Sequence, residues 1–232
     1  MQQICVIVSR RPDQGARDMA ADKTSSEDVV REMYDGEAES YSKMMDSEIK
    51  RPLYADTLGR LKTRVANLAG TIIDAPCGSG HMLSMYHEEY EQERALYGID
   101  LSPGLAAIAA KRLGTAAEIA IGDIRNLSSV ASGSAAAVIC FFAIHHLDVD
   151  GVKAALAEWH RVLQTGGQLV IGAWEGEGPI DYGDDSDIVA ILHGADALDA
   201  MIRESGFSVS RNVVECDEEM MMNVIYVEGS RE

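Results

Sequence analysis

Apolar and polar positions alternate along this chain in two distinct rhythms. From Ser26 onward, Val30, Met33, Tyr34, Ala38, Tyr41 and Met45 recur at three- and four-residue steps. That is the period of a helix burying one face, and Ser26 is placed to cap it. Leu53, Leu58, Leu61, Val65 and Leu68 repeat the rhythm and predict a second helix ending at Gly70. The period then shortens. Thr71, Ile72 and Ile73 end at Asp74, residues 95–99 end at Asp100, residues 118–121 run into Gly122-Asp123, and residues 135–142 are continuously apolar. An unbroken run of that kind is what a parallel strand covered on both faces requires. Helices are predicted between these strands: one over 81–90 with Met82, Leu83 and Tyr86 on one side, one opening at Ser102-Pro103, and one marked by Val152, Leu156, Trp159 and Leu163 and closed by Gly166-Gly167. A strand over 168–173, an acidic glycine-rich connection, a helix capped by Asp196 and stopping at Gly206, and strands over 207–214 and 220–227 complete the chain. Alternation of this type predicts an α/β fold with a mostly parallel sheet.

The densest chemistry stands at the end of the first strand. Asp74-Ala75-Pro76-Cys77-Gly78-Ser79-Gly80 follows the strand and leads into a helix, the first βα unit of a nucleotide-binding sheet. Glycine lets the backbone turn tightly and approach a ligand where a Cβ would collide. The dinucleotide fingerprint needs a third glycine at position 83, where Leu83 stands, so a nicotinamide-dependent dehydrogenase is the weaker alternative. Cys77 reads as small turn filler over a nucleophile, because no activating base is placed beside it. Asp100 ends the second strand about 20 residues past the glycines, where ribose hydroxyls are read in nucleotide-binding folds; an ordinary solvated strand-end acid is the alternative. His145 and His146 follow the fourth strand, at the edge where open α/β sheets bind ligands. An imidazole there can take a proton from a hydroxyl or amine, or hold it by hydrogen bond. No further ligands accompany the histidine pair, so no metal site is expected. Trp174, Glu175, Tyr182 and the acids around Asp184 leave the fifth strand at the same edge and are candidates for substrate contact.

The motif Asp74-x-Pro76-x-Gly78-x-Gly80 resembles motif I of the class I S-adenosylmethionine (SAM)-dependent methyltransferases, with proline in the first glycine slot. The segment 34–45, YDGEAESYSKMM, is similar to the Y-D-x-x-A-x-x-Y stretch that precedes motif I in small-molecule members, and Gly122-Asp123-Ile124 and Ile144-His145-His146-Leu147 resemble later landmarks. The resemblance covers roughly residues 30–228. It implies a Rossmann-like sheet of seven strands in order 3-2-1-4-5-7-6 with helices on both faces, an N-terminal helical cap, SAM as cofactor and S-adenosylhomocysteine (SAH) as product. By that resemblance Tyr41, Asp74, Ala75, Pro76, Cys77, Gly78, Gly80, Asp100, Leu101, Asp123, Ile124 and Phe141 hold the cofactor. Asp123 accepts from the adenine amine, and Ile124 packs on the ring. His145 and His146 are then expected to act on the acceptor, with Tyr34 beside them and, from their place at the strand edge, Trp174, Glu175 and Tyr182 as candidates to contact it. The activity implied is methyl transfer to oxygen or nitrogen of a small molecule. A non-methylating protein on the same fold, serving as a binding module or catalysing a cofactor-assisted rearrangement, is the alternative.

Charge and composition narrow the partners. The chain has 232 residues and a formal net charge of −18, which repels phosphate backbones and anionic lipid surfaces. Nucleic acid and membranes are therefore not expected as partners, and no run approaches the ~20 apolar residues of a membrane span. Cys5, Cys77, Cys140 and Cys216 are far apart, as in a reduced, cytoplasmic protein. Oligomeric state is left open, a homodimer among the options. The expected division is an N-terminal extension over 1–25, mobile with an edge-strand-like start, a helical cap over 26–69 and a core over 70–232, together one domain.

Overall fold

The structure is a computed structural model and describes residues 24–180, 188–218 and 220–232. The expected extension lies almost wholly outside these residues. Seven strands build the main sheet: β1 (Thr71–Asp74), β2 (Leu96–Asp100), β3 (Ala117–Ile121), β4 (Ala135–Phe141), β5 (Leu163–Trp174), β8 (Phe207–Asp217) and β9 (Met222–Arg231). A separate two-stranded ladder joins β6 (Pro179–Ile180) to β7 (Ala190–Ile191). The main sheet runs β3-β2-β1-β4-β5-β9-β8, which is 3-2-1-4-5-7-6 when its own strands alone are counted. β9 lies antiparallel to both β5 and β8, and the remaining pairs are parallel.

The register places the site. Asp74 at the tip of β1 lies beside Gly98 of β2 on one side and Ile139 of β4 on the other, where the strand order reverses. Successive side chains of a strand point to opposite faces, and here they feed two cores. Ile73 and Val138 join Trp159 and Leu156 of α6 (Val149–Val162) and Leu198 of α7 (Ala195–Glu204). Ile72 and Ile139 join Leu58 of α3 (Pro52–Arg64), Tyr86 of α4 (His81–Glu89) and Ala109 of α5 (Pro103–Leu113). Complete burial of a side chain such as Leu58 or Ile72 is worth ~1.5–3 kcal/mol. Gly70 is forced by the entry to β1: its φ is +103°, and a Cβ would stand 2.2 Å from the Ser134 carbonyl oxygen.

Several boundaries differ from the pattern reading. The first helical stripe is two helices, α1 (Glu27–Gly36) and α2 (Ala38–Glu48), because Glu37 leaves helical geometry at φ −106°, ψ 12°. A kink preserves the three- and four-residue spacing closely enough that periodicity alone does not reveal it. The second helix ends at Arg64, ahead of Gly70. Asp196 lies inside the first turn of α7, whose cap position is Gly194. The first helices are pinned to the core by their polar faces. Asp35 Oδ1 accepts from Ser102 Oγ at 3.0 Å and from Gly104 N at 2.5 Å, and Asp46 Oδ1 meets His81 Nε2 at 2.9 Å.

Candidate active site

The strand tips and the first helices enclose a cavity of about 340 Å³. Its floor is the turn after β1. Gly78 sits at φ +51°, and a Cβ there would come within 3.2 Å of the Tyr41 ring. Pro76, Cys77 and Gly78 line the floor, whereas Gly80 lies at the cap of α4 and Ala75 is buried in the strand end. Thus ten of the twelve expected cofactor residues reach the cavity wall, the two others only framing it. Burial, helped by the Asp74 and Asp100 carboxylates, pushes the Cys77 thiol up, which keeps it neutral and fits the filler reading.

Two buried acids face this cavity. Asp100 Oδ2 accepts from Gly78 N at 2.8 Å and its Oδ1 from Ser102 N at 2.9 Å, so one side chain ties the glycine turn to the start of α5. Burial pushes its pKa up to about 6. Asp74 is raised well above the usual carboxylate range by burial and by the Asp100 charge, and its Oδ1 has no hydrogen-bond partner. A buried orphan acceptor of this kind is costly, and a cationic or N–H-bearing ligand relieves it. The donor set therefore fits the amino end and ribose of a sulfonium nucleoside.

Asp123 lines the cavity but is already engaged by a cation of its own chain. Its carboxylate accepts from Arg125 N at 2.7 Å, from Arg125 Nε at 2.9 and 2.8 Å on its two oxygens, and from an Arg125 Nη2. A carboxylate offers about four lone-pair sites, so Arg125 fills them, and acceptance from an adenine amine would have to displace this clasp. Arg125 also reaches Glu27 at 3.1 Å, joining the start of α1 to the sheet edge. Ile124 and Leu101 line the cavity as expected.

At the far end stand Tyr34 and His146. The Tyr34 hydroxyl lies 3.0 Å from His146 Nε2, and Tyr34 meets Tyr41 edge-on at 5.9 Å. Burial lowers the His146 pKa to about 4, so its ring is neutral at ordinary pH; its Nδ1 is buried without a partner. His145 does not join the wall. It is buried with its ring 4.1 Å from that of His146, and burial plus the neighbouring His146 and His193 hold it well below the usual imidazole range. The short helical turn Ile144–His146 carries both rings, and His146 alone of the two lines the cavity.

Trp174 and Glu175 are also displaced from expectation. Trp174 packs on Phe142 at 4.6 Å and so backs the wall without lining it, while Glu175 accepts from Asn223 Nδ2 at 3.2 Å. Tyr182 and Asp184 lie outside the described residues. Pattern reading missed Glu27, Tyr54, Arg125 and Asp148, all in the wall. Arg125 had a signal, since a cation two residues past Asp123 can fold back onto it. Tyr54 was hidden by a stripe counted on aliphatic positions alone. No group of three or more potential metal ligands occurs among the described residues. Among the same residues, no helix is long and apolar enough to cross a membrane.

The fold and this arrangement of strand tips define a class I SAM-dependent methyltransferase architecture. Residues 72–167 match the family described as "Methyltransferase domain". The chain is 34% identical over 99 residues, 43% of its length, to a malonyl-(acyl-carrier protein) O-methyltransferase of Serratia marcescens, of which that stretch spans 36%. The 1,6-didemethyltoxoflavin-N1-methyltransferase of Burkholderia thailandensis superposes with a TM-score of 0.69 at 17% identity, covering 88% of each chain. A 4+2 cyclase superposes at 0.58 with 17% identity, covering 74% of this chain and 80% of its own. The likeness is thus to methyltransferases, in sequence over the strand-rich stretch that carries the glycine turn and in fold over most of the chain.

Proposed function

We propose that this protein transfers the methyl group of SAM to an oxygen or nitrogen of a small molecule by in-line displacement beside the carboxyl end of β4. The observation that carries the reading is the pair of buried acids at the tips of β1 and β2 in the cavity wall, one with an oxygen that has no hydrogen-bond partner. When bound, SAM supplies a methyl group already activated on a sulfonium. Asp74 is assigned the amino end, the turn over 76–78 the aminoacyl part and Asp100 the ribose. Leu101, Ile124 and Phe141 supply apolar wall.

The remaining chemistry is positioning. Holding an acceptor in line is worth ~7–11 kcal/mol of the barrier. Tyr34 and His146 form the polar pair that orients the acceptor's hydroxyl or amine. A neutral imidazole with a pKa near 4 accepts a hydrogen bond well and removes a proton only after the acceptor has acidified during methyl transfer. Val30 and Tyr34 of α1 and Tyr41 and Met45 of α2 close the cavity and keep water from the reacting centre.

Incubation with methyl-labelled SAM, followed by mass spectrometry of small molecules retained by the purified protein, tests this. The expected result is a retained compound that gains one labelled methyl group while SAM becomes SAH. Failure of SAM and SAH to bind overturns the proposal. Binding of SAM with turnover of a retained compound that carries no label favours the rearrangement alternative. Thermal stabilisation by NAD(H) alone would revive the dehydrogenase.

A further inference from the structure

Resting on the cofactor assignment above, we infer that Asp46 and His81 are positioning residues for the cofactor: through the His81 ring, Asp46 of α2 fixes the Ser79 hydroxyl in one orientation at the cavity wall. The side chains form a closed ring. His81 opens α4 and is buried, with its Nδ1 2.9 Å from Ser79 Oγ and its Nε2 2.9 Å from Asp46 Oδ1. Arg112 of α5 completes the circuit, donating from Nε to the Ser79 carbonyl at 2.9 Å and from Nη2 to Asp46 Oδ1 at 3.3 Å. Ser79 and His81 both stand in the cavity wall, whereas the Asp46 carboxylate is half-exposed. The link therefore runs from the outside of the helical cap to the turn on which the cofactor is assigned.

The hydrogen positions follow from the chemistry of the partners. The His81 hydrogen bond holds the Asp46 carboxyl below its ordinary value, and an ionised carboxylate only accepts, so His81 Nε2 carries the hydrogen between them. Burial, with the Arg112 charge beside it, lowers the His81 pKa against the pull of Asp46 and keeps the ring neutral at ordinary pH. Nδ1 then bears a lone pair and no hydrogen, so Ser79 donates its hydroxyl hydrogen to the ring. What remains on Ser79 Oγ is lone pairs, and toward a ligand the residue is an acceptor only, suited to N–H or O–H groups. Without Asp46 either ring nitrogen can hold the hydrogen. The Nδ1–H tautomer reverses the bond: Ser79 accepts from the ring, and its own hydrogen turns away. Asp46 thus acts on the site through two intermediaries, touching neither cofactor nor acceptor.

Two measurements on the full chain test this. The first needs no substitution: the ring nitrogen-15 shifts of His81 are expected to show a protonated Nε2 and a bare Nδ1, and a protonated Nδ1 overturns the inference. The second is calorimetry with SAH. Asp46→Ala is expected to weaken SAH about fivefold in the otherwise unchanged chain and by under about twofold in a Ser79→Ala background, because its effect passes through the hydroxyl. An equal loss in both backgrounds overturns the inference. So does a lower melting temperature in Asp46→Ala with SAH affinity retained, which assigns the ring to stability alone. If the unchanged chain does not bind SAH, the cofactor assignment itself falls, an outcome distinct from SAH binding that ignores Asp46.

Discussion

The two ends of the cavity are built on different principles. The proposed cofactor end is made of backbone and short side chains fixed by strand tips: Asp74 and Asp100 stand on neighbouring strands in parallel register, and the turn holding Gly78 is bolted to Asp100. The proposed acceptor end is made of long side chains gathered from distant helices, with Tyr34 meeting His146 across 112 positions of sequence. The first end is rigid because the sheet pins it. The second is a meeting of helix faces, so single substitutions there alter contact geometry without unpicking the fold. This difference teaches that cofactor binding and acceptor choice should respond to separate sets of mutations.

The largest expected effect belongs to the rigid end. Asp100→Ala removes the acceptor for two backbone N–H groups inside a buried turn, and each stranded donor costs ~1–3 kcal/mol. SAH affinity is expected to fall about 100-fold by calorimetry, with a lower melting temperature. Unchanged affinity would show that the tip of β2 is not part of the cofactor site. At the other end, Tyr34→Phe is expected to lower kcat about tenfold while the SAH dissociation constant stays within twofold. A parallel loss of both would erase the separation between the two ends. The smallest effect falls on the bridge between them: Glu27→Gln weakens a half-exposed ion pair with Arg125, typically worth ~0.2–1 kcal/mol. About a threefold rise in KM is expected, vanishing at high salt; a loss as large as that of Asp100→Ala would place Glu27 in the rigid end.

The same contrast explains what could be read from the chain beforehand. Strand tips announce themselves locally: a β-branched run, then Asp74, then glycines, is a contiguous signal, and so are Ile99-Asp100 followed by Ser102-Pro103. The sheet order followed from that resemblance. What resisted reading was everything decided by long-range contact. His145 and His146 are adjacent and chemically identical, yet of the two His146 alone lines the cavity. Asp123 looked like a ligand residue, and the guanidinium two positions later claims it. Trp174 leaves β5 at the right edge but is captured by Phe142, whose φ of 51° redirects the chain end of β4. In each case tertiary packing decides between roles that sequence leaves equal.

Asp74 and Asp100 are proposed to receive the ammonium-bearing nucleoside as ionised carboxylates, and a pH series of SAH titrations tests this most directly. In the free protein burial pushes the Asp100 pKa up to about 6, and burial with the Asp100 charge holds Asp74 well above the usual carboxylate range; an ammonium bound beside them lowers both values. Affinity is then greatest where both acids are already ionised, and is lost as pH falls through about 6 toward the lower values of the complex, by up to about tenfold per unit for each acid that must shed its proton. The account predicts that decline in the wild-type protein and weak, nearly pH-independent binding in Asp74→Asn/Asp100→Asn. No SAH binding at any pH, or wild-type affinity that stays level from pH 8 to pH 5 at roughly the strength of the double variant, would contradict it.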